Sequence, residues 1–404
     1  MRETDAAHRI ATELRHESAA IWYIADEYGE KVMVKVLSPT IKALIAGCKL
    51  EFLYGKDSRH VFPFFHAGLK IWDDPVHYLR MTSIQRFTQE HRSLKRIMDL
   101  ETVNIHFHNE LTICAAAATL TFSSEDRQQV IQFLGNINDL YTGAFNHLAK
   151  HSLDCFDHTI DKTQNLTGVQ EIALLSIQGK LSDWIIMNNT FIGANETNPI
   201  QIDDPDEGGH FEKETWASLE AIFLNALYRS PKIPDKHGFR ELTDVLAFHQ
   251  YGIFLIETKA LSIPEIDNER NMDRKVKGLQ KQILKGIGQL KGAAKKVAAN
   301  TNVFDSQGKL IDFDRSICPH CIVLVSELLP FGDWKEIELK MMTTMIEQPM
   351  YLHVMDLREF MTYIGFCRGN KERLDASLMD RTSQFVELQT IHIRVDRNTG
   401  EFPG

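Results

Sequence analysis

The sequence predicts an α/β protein preceded by a small α+β domain, and three observations carry that expectation. Two short apolar runs, Val245 to Phe248 and Ile253 to Ile256, have strand character and flank a turn at Gln250, Tyr251 and Gly252. Two longer stretches, His210 to Arg229 and Glu269 to Val297, repeat apolar residues every three or four positions, as amphipathic helices do. The first 150 residues instead alternate strand-like runs with turn signals.

Taken in order, Ile21 to Val36 and Leu50 to Trp72 read as strands, with turns at Tyr28–Gly29 and at Tyr54 to Asp57. Val103 to Phe122 offers two strands around His108 and Asn109. Ser123, with Asp126 three residues on, caps a helix over Ser123 to Tyr141. Leu153 to Met187 reads as helical, and Asn188 to Gly209, with Pro199, Pro205 and the acids from Asp203 to Glu207, as a linker. The expected division is therefore residues 1–150, a connector over 151–209, and a second domain over 210–404. Its later elements are strands at Ile322 to Val325 and Tyr351 to Met355, a helix at Leu357 to Phe366, and a last strand at Val386 to Val395.

The chemistry concentrates at the hairpin. An antiparallel return carries Glu257 back beside Asp244, and the two-residue period of a strand puts Glu257 and Lys259 on one face with Thr258 opposite. Two carboxylates and an ammonium at one sheet end suit a hard divalent cation and a water beside a phosphate. An acid and a lysine closing a buried apolar strand are costly without a purpose. An ordinary surface ion pair at a hairpin end is the competing reading.

At these residues the chain resembles the PD-(D/E)XK, or restriction-endonuclease-like, nuclease superfamily. Asp244 matches the first acidic position, Glu257 the second and Lys259 the lysine, while Thr243 stands where the family name has proline. The resemblance covers residues 210–300 and, by order of elements, extends to the C-terminus. It implies a mixed central sheet flanked by helices, and a Mg²⁺-dependent endonuclease in which Mn²⁺ can substitute. It also implies a further acid on the preceding helix. Glu212, Glu214 and Glu220 are candidates there, and Glu220, beside the apolar stripe, is the favoured ligand with Asp244 and Glu257. DNA is the favoured substrate over RNA, and bacterial defence, antiviral defence included, or repair is the implied setting. The alternatives are a nucleic-acid-binding or assembly protein without turnover, which the intact Asp, Glu and Lys set argues against, and an RNA-directed nuclease.

Between Glu269 and Val297 nine basic residues face two acidic ones, in a chain of formal net charge −10. Solvated helix faces ordinarily mix signs, so Lys275, Lys277, Lys281, Lys285 and Lys291 read as phosphate contacts. Gln289 resembles a helix glutamine found after the lysine in branches of the superfamily. Gly278, Gly286, Gly288 and Gly292 weaken this helix unless a backbone must approach something closely.

The remaining signals are weaker. His106 and His108 share a strand face without a third ligand, and Cys318-Pro319-His320-Cys321 lacks the second pair of a zinc site. His91, Arg92, Lys95 and Arg96 form a basic cluster that a solvated helix face explains as well as a second nucleic-acid surface does. The chain has 404 residues, 43% hydrophobic and 25% charged, with six cysteines read as reduced thiols and no membrane-spanning run. Its N-terminus is too polar for a secretory signal, so a cytoplasmic location is expected. The N-terminal domain is assigned target sensing, homo-oligomer assembly or partner-protein binding.

Overall fold

The computed structural model describes residues 3–17, 19–72, 78–162, 168–193, 197–220, 222–260 and 272–393. The chain divides into two compact units, residues 1–187 and a second beginning at residue 188. The first runs α1 (Glu3–His16), β1 (Ala20–Asp26), β2 (Gly29–Lys35), α2 (Ser38–Ile45), β3 (Lys49–Asp57), β4 (Phe64–Trp72) and β5 (Leu79–Gln85). It continues with α3 (Thr88–Asp99), β6 (Thr102–His108), β7 (Cys114–Thr121), α4 (Ser124–Leu134), α5 (His147–Ile160) and β8 (Ala173–Ile186).

These strands form an eight-stranded sheet in the order β1-β2-β6-β7-β8-β3-β4-β5. The segment from Leu153 to Met187, expected to be helical, is helical only to Ile160 and then supplies β8. That strand joins two halves of the sheet: Ala173 to Gly179 pair with β3, and Lys180 to Ile186 with β7. Without β8 the sheet falls into two pieces, so this unit reaches beyond residue 150. At the outer strands, Ser83 and Gln85 of β5 donate to the Ile21 carbonyl of β1 at 3.4 and 3.3 Å, which draws the two edges together.

Two local expectations resolve differently. Ser123 caps α4 as its spacing requires, accepting from the Asp126 amide at 3.0 Å, but the helix stops at Gly135, whose φ of 67° is left-handed. The turn expected at Tyr54 to Asp57 is absent, and β3 passes straight through it. Gly55 is there for packing: a Cβ would lie 2.4 Å from Cδ2 of Phe156, a fully buried ring of α5.

The second unit begins with a hairpin of β9 (Asn189–Ile192) and β10 (Thr197–Ile200), within the stretch expected to be a linker, which buries Asn198, Ile200 and Ile202. There follow α6 (Glu207–Glu220), β11 (Leu227–Arg229), β12 (Lys232–Asp235), β13 (Gly238–Glu241), β14 (Val245–Phe248), β15 (Ile253–Lys259) and α7 (Met272–Ala298). The last elements are β16 (Val303–Phe304), β17 (Leu310–Ile311), β18 (His320–Val325), α8 (Lys335–Glu347), β19 (Tyr351–Asp356), α9 (Leu357–Cys367) and α10 (Lys371–Leu388).

Its central sheet has the order β11-β14-β15-β18-β19, with the first pairings antiparallel and β15-β18-β19 parallel. Alternate residues Ile253, Leu255, Cys321 and Val323 join a core with Leu279, Ile283, Ile287 and Leu290 of α7. Phe254, Ile256, Ile322 and Leu324, also buried, face the other way, toward α6 and α9. A four-stranded accessory sheet, β13-β12-β16-β17, stands beside this one.

The strand expected at Val386 to Val395 is instead the end of α10 and the chain after it; residues 394 and 395 lie outside the described residues. Asn370 caps α10 by accepting from the Arg373 amide at 2.9 Å, and Leu374, Ser377, Leu378, Arg381 and Phe385 are buried at helical spacing. The β-branched residues that suggest a strand belong to the exposed face of the helix or follow it. Among the described residues no helix is long and apolar enough to cross a membrane.

The close fit at Gly55 makes a prediction. Gly55→Ala should destabilise the first unit by about 1–3 kcal/mol, because neither β3 nor the buried Phe156 ring can move freely. Pairing it with Phe156→Leu should recover part of the loss in thermal denaturation. Equal melting temperatures for wild type and Gly55→Ala would contradict this packing.

Candidate active site

The β14–β15 hairpin has the register the sequence requires. Val245 pairs with Ile256, which sets Asp244 and Glu257 side by side one step beyond the last pair. Both carboxylates are buried, Asp244 to 9% exposure and Glu257 to 2%. Lys259 stands between them: its Nζ donates to Glu257 Oε2 at 2.7 Å and to the Thr258 carbonyl at 3.0 Å, and lies 3.8 Å from Asp244 Oδ2.

Thr258 fixes Asp244. Its amide and its hydroxyl both donate to Asp244 Oδ2, at 2.6 and 2.9 Å. Asp244 Oδ1 and Glu257 Oε1 accept no hydrogen bond from the described residues, so one oxygen of each carboxylate remains available. Thr243, at the place of the superfamily's proline, is fully buried and donates its hydroxyl to the Ile256 carbonyl at 2.7 Å. It ties the two strands together by a bond that a proline could not make.

The electrostatics are those of a centre short of positive charge. Burial pushes the Glu257 carboxyl up to about 7, with the neighbouring Asp244 adding to the shift and Lys259 opposing it. Glu212 on α6, half-buried, is also pushed up to about 7, by desolvation first and then by Asp244 and Glu241. Glu241 is raised by desolvation, with Asp244 adding to the effect. Glu212, Glu241, Asp244 and Glu257 are thus linked electrostatically, with Lys259, Arg229 and Lys232 as opposing cations.

Of the three helix acids weighed, Glu212 is the one whose carboxyl Asp244 helps to raise. Glu220 lies eight residues further along α6, about 12 Å at the helical rise, where its carboxyl would stand 3.0 Å from a Cβ at Gly193, beside Trp216. Glu220, on the apolar stripe, is buried there. Glu214, the other candidate, is buried against His210 at 3.3 Å. Thr258 carries no distinguishing pattern inside Glu-Thr-Lys, while Arg240 and Glu241, just ahead of Asp244, read in the sequence as a local ion pair more than as contacts to a phosphate or a metal's water shell.

An all-oxygen donor set with excess negative charge fits a hard divalent cation. Among the described residues no group of three or more His, Cys, Asp and Glu side chains is placed to hold a metal ion together. Mg²⁺ does not need such a group, because it characteristically takes one or two carboxylates and completes its shell with water and phosphate. The same observation covers His106 and His108, and Cys318 to Cys321. His106 Nδ1 lies 3.9 Å from Cys114 Sγ, while Cys321 is a buried residue of β18. Both nitrogens of His320 are engaged, Nδ1 with His353 Nε2 at 3.1 Å and Nε2 with Asp375 Oδ1 at 2.9 Å, and these contacts join α10 to the sheet.

Helix α7 packs over the face that carries Glu257 and Lys259. Of its four glycines only Gly286 is a close approach: a Cβ there would meet Val323 Cγ1 at 3.0 Å and Lys259 Cε at 3.5 Å. Gly286 therefore leaves room for the Val323 side chain of β18, with the Lys259 stem at ordinary contact distance, whereas Gly278, Gly288 and Gly292 face open space. Lys277, Lys281, Lys285 and Gln289 are exposed, as a polyanion contact requires. Lys275 pairs with Glu327 at 2.9 Å and Lys291 with Glu347, so these two already have acidic partners. In the first unit, His91 is buried against the Gln85 carbonyl at 2.9 Å, while Arg92, Lys95 and Arg96 are exposed, Arg96 in a pair with Glu30.

The raised carboxyls predict a pH dependence. A folded-state value near 7 for Glu257, against an ordinary 4.5, means that the folded protein holds a proton which the unfolded chain releases between those values. Stability of the metal-free protein should therefore fall as pH rises from about 5 to 8, by on the order of 1–3 kcal/mol for this group. Glu257→Gln should flatten the profile, and added Mg²⁺ should raise the melting temperature more at pH 8 than at pH 5. A metal-free melting temperature constant over that range would contradict the carboxylate arrangement.

The chain matches no family profile and no curated protein. Among solved structures it is similar to the small subunit, R.BspD6I2, of the heterodimeric restriction endonuclease R.BspD6I. The identity is 12% and the TM-score 0.27, over 45% of this chain and 87% of that one.

Proposed function

We propose that the chain is a metal-dependent nuclease that hydrolyses phosphodiester bonds, with DNA as the favoured substrate. The observation that carries this reading is the Asp244, Glu257 and Lys259 constellation. It sits at one end of a sheet whose β14–β15 hairpin continues into the parallel strands β18 and β19.

In this reading Asp244, held by Thr258, and Glu257 would hold Mg²⁺, with Glu212 rather than Glu220 as the further acid, which would act through water. The bound ion supplies Lewis-acid polarisation of the phosphate and a lowered pKa for an attacking water. Lys259 positions that water or offsets the charge that develops on the phosphate oxygens. Burial of Glu257 makes its charged form costly without a cation, so the cation and substrate are favoured together. Lys277, Lys281 and Lys285 hold the backbone by contacts that are indifferent to sequence.

Incubation with supercoiled plasmid, linear duplex, single strands and RNA, in Mg²⁺, Mn²⁺ or EDTA, tests the proposal. Cleavage should need the metal, and Asp244→Ala, Glu257→Ala and Lys259→Ala should each lower it by on the order of 10²–10³-fold. Glu212→Gln should impair turnover and Glu220→Gln should not. Wild-type rates in all of the site variants, at matched thermal stability, would remove this active site.

A second prediction separates the α7 lysines from a merely solvating face. Reversing Lys277 and Lys281 to Glu should weaken DNA binding about equally across unrelated sequences. It should also flatten the log–log salt dependence by roughly 0.7–0.9 for each phosphate that the variant no longer neutralises. An unchanged slope would assign the helix to ordinary surface.

A further inference from the structure

The accessory sheet beside the site is one-sided. Register puts Ile233, Val303 and Ile311 on one face, where they are 0%, 1% and 2% exposed and belong to the core of the second unit. Pro234, Phe239, Phe304 and Leu310 fall on the other face. Phe239 is 62% exposed and Leu310 51%, and the rings of Phe239 and Phe304 meet edge-on at 5.4 Å between centroids. Residues 234–241 are exposed without a break, so the β12–β13 hairpin stands out in solvent.

Exposed aromatic side chains need a reason, and here the charges around them supply one. Lys232 shares the outer face with the aromatic pair, opposite Glu241 of β13, and Lys236 lies in the hairpin turn as the cation free of that acid; both lysines are exposed. Lys236 has no acidic partner among the described residues. Aromatic rings on an open sheet with flanking cations match bases and phosphates together. A duplex hides its base faces, whereas single strands present them for stacking.

The position of the hairpin is equally specific. It is inserted between β11 and β14, directly ahead of Asp244, and both of its ends are pinned there. The Ser230 amide donates to the Asp244 carbonyl at 2.7 Å, and the Leu242 amide donates to the Pro231 carbonyl at 2.8 Å. A strand held on this face is thereby held at the root of the catalytic acid.

We propose that the outer face of β12, β13, β16 and β17 is a stacking platform for unpaired nucleotides, with Phe239 as its main contact and Lys232 and Lys236 on the flanking phosphates. The inference deepens the nuclease reading and rests on it for its purpose: the substrate is single-stranded, or carries unpaired bases beside the scissile bond.

The test is binding of labelled single-stranded DNA, blunt duplex and forked duplex to the full chain in EDTA, where cleavage does not interfere. Phe239→Ala should weaken single-strand and fork binding about tenfold, within the range for removing one stacked base, and leave blunt-duplex binding unchanged. Phe239→Trp should restore it, and Lys236→Glu should weaken binding while lowering its salt dependence. Unchanged single-strand affinity in Phe239→Ala, or equal losses on single strand and blunt duplex, would overturn the platform. The two readings fail separately. Single-strand binding through Phe239 with no metal-dependent cleavage of any substrate keeps the platform and removes the nuclease, whereas cleavage with binding indifferent to Phe239 does the reverse.

Discussion

The register of a single hairpin governs the second unit. Val245 opposite Ile256 brings Asp244 beside Glu257, and a slip by one residue would turn Glu257 and Lys259 to the opposite face of the sheet. The protein guards against that slip at the site itself. Thr243 bonds the Ile256 carbonyl and Thr258 bonds Asp244 twice, so the end of the hairpin where the charges lie is laced across both strands. Further along, the parallel pairing of β15 with β18 sets Lys259 against Val325 and fixes the strand from its other side. The geometry around the charges is held by the donors of Thr243 and Thr258 and by apolar packing.

That dependence follows from the cost of the charges. Asp244 and Glu257 are buried next to each other, with Glu212 and Glu241 linked to them electrostatically, and Lys259 offsets only part of the repulsion. A centre of this kind does not assemble for its own stability. It persists because Leu246, Leu255, Val323 and the buried stripe of α7 supply the cohesion around it. Gly286 shows how close the packing is: the helix gives up a side chain, and with it intrinsic helix stability of about 1 kcal/mol, so that Val323 of β18 fits beneath the backbone next to the Lys259 stem.

What the sequence reveals and what it conceals divide along the same physical line. The hairpin, its facing residues, the Ser123 cap and the strands β18 and β19 are legible because period, cap chemistry and turn residues are local. Three features are not. Strand β8 takes its place between β7 and β3 by pairing with residues more than fifty positions away, and its mixed burial leaves no clean alternation. Gly55 resembles a turn residue, yet its purpose is a ring on α5, a hundred positions along the chain. Of the β-branched residues at the end of α10 and after it, Val386 lies on the exposed face of the helix and Ile391 and Ile393 are buried beyond it, so they record no strand.

The helix acid is the most instructive of these cases. The sequence favours Glu220 for its nearness to buried residues, on the assumption that burial and the site coincide. On a helix that crosses a sheet they need not: a turn is about 5.4 Å long, so two turns separate a residue at the sheet's end from one packed deep along its face. Glu212 lies in the early part of α6, where an acid is ordinarily dismissed as complementing the helix dipole. Its raised carboxyl and its interaction with Asp244 show that an acid in an expected place can still face an unexpected neighbour. Position along the helix axis, rather than proximity to the apolar stripe, decides which acid reaches the end of the sheet.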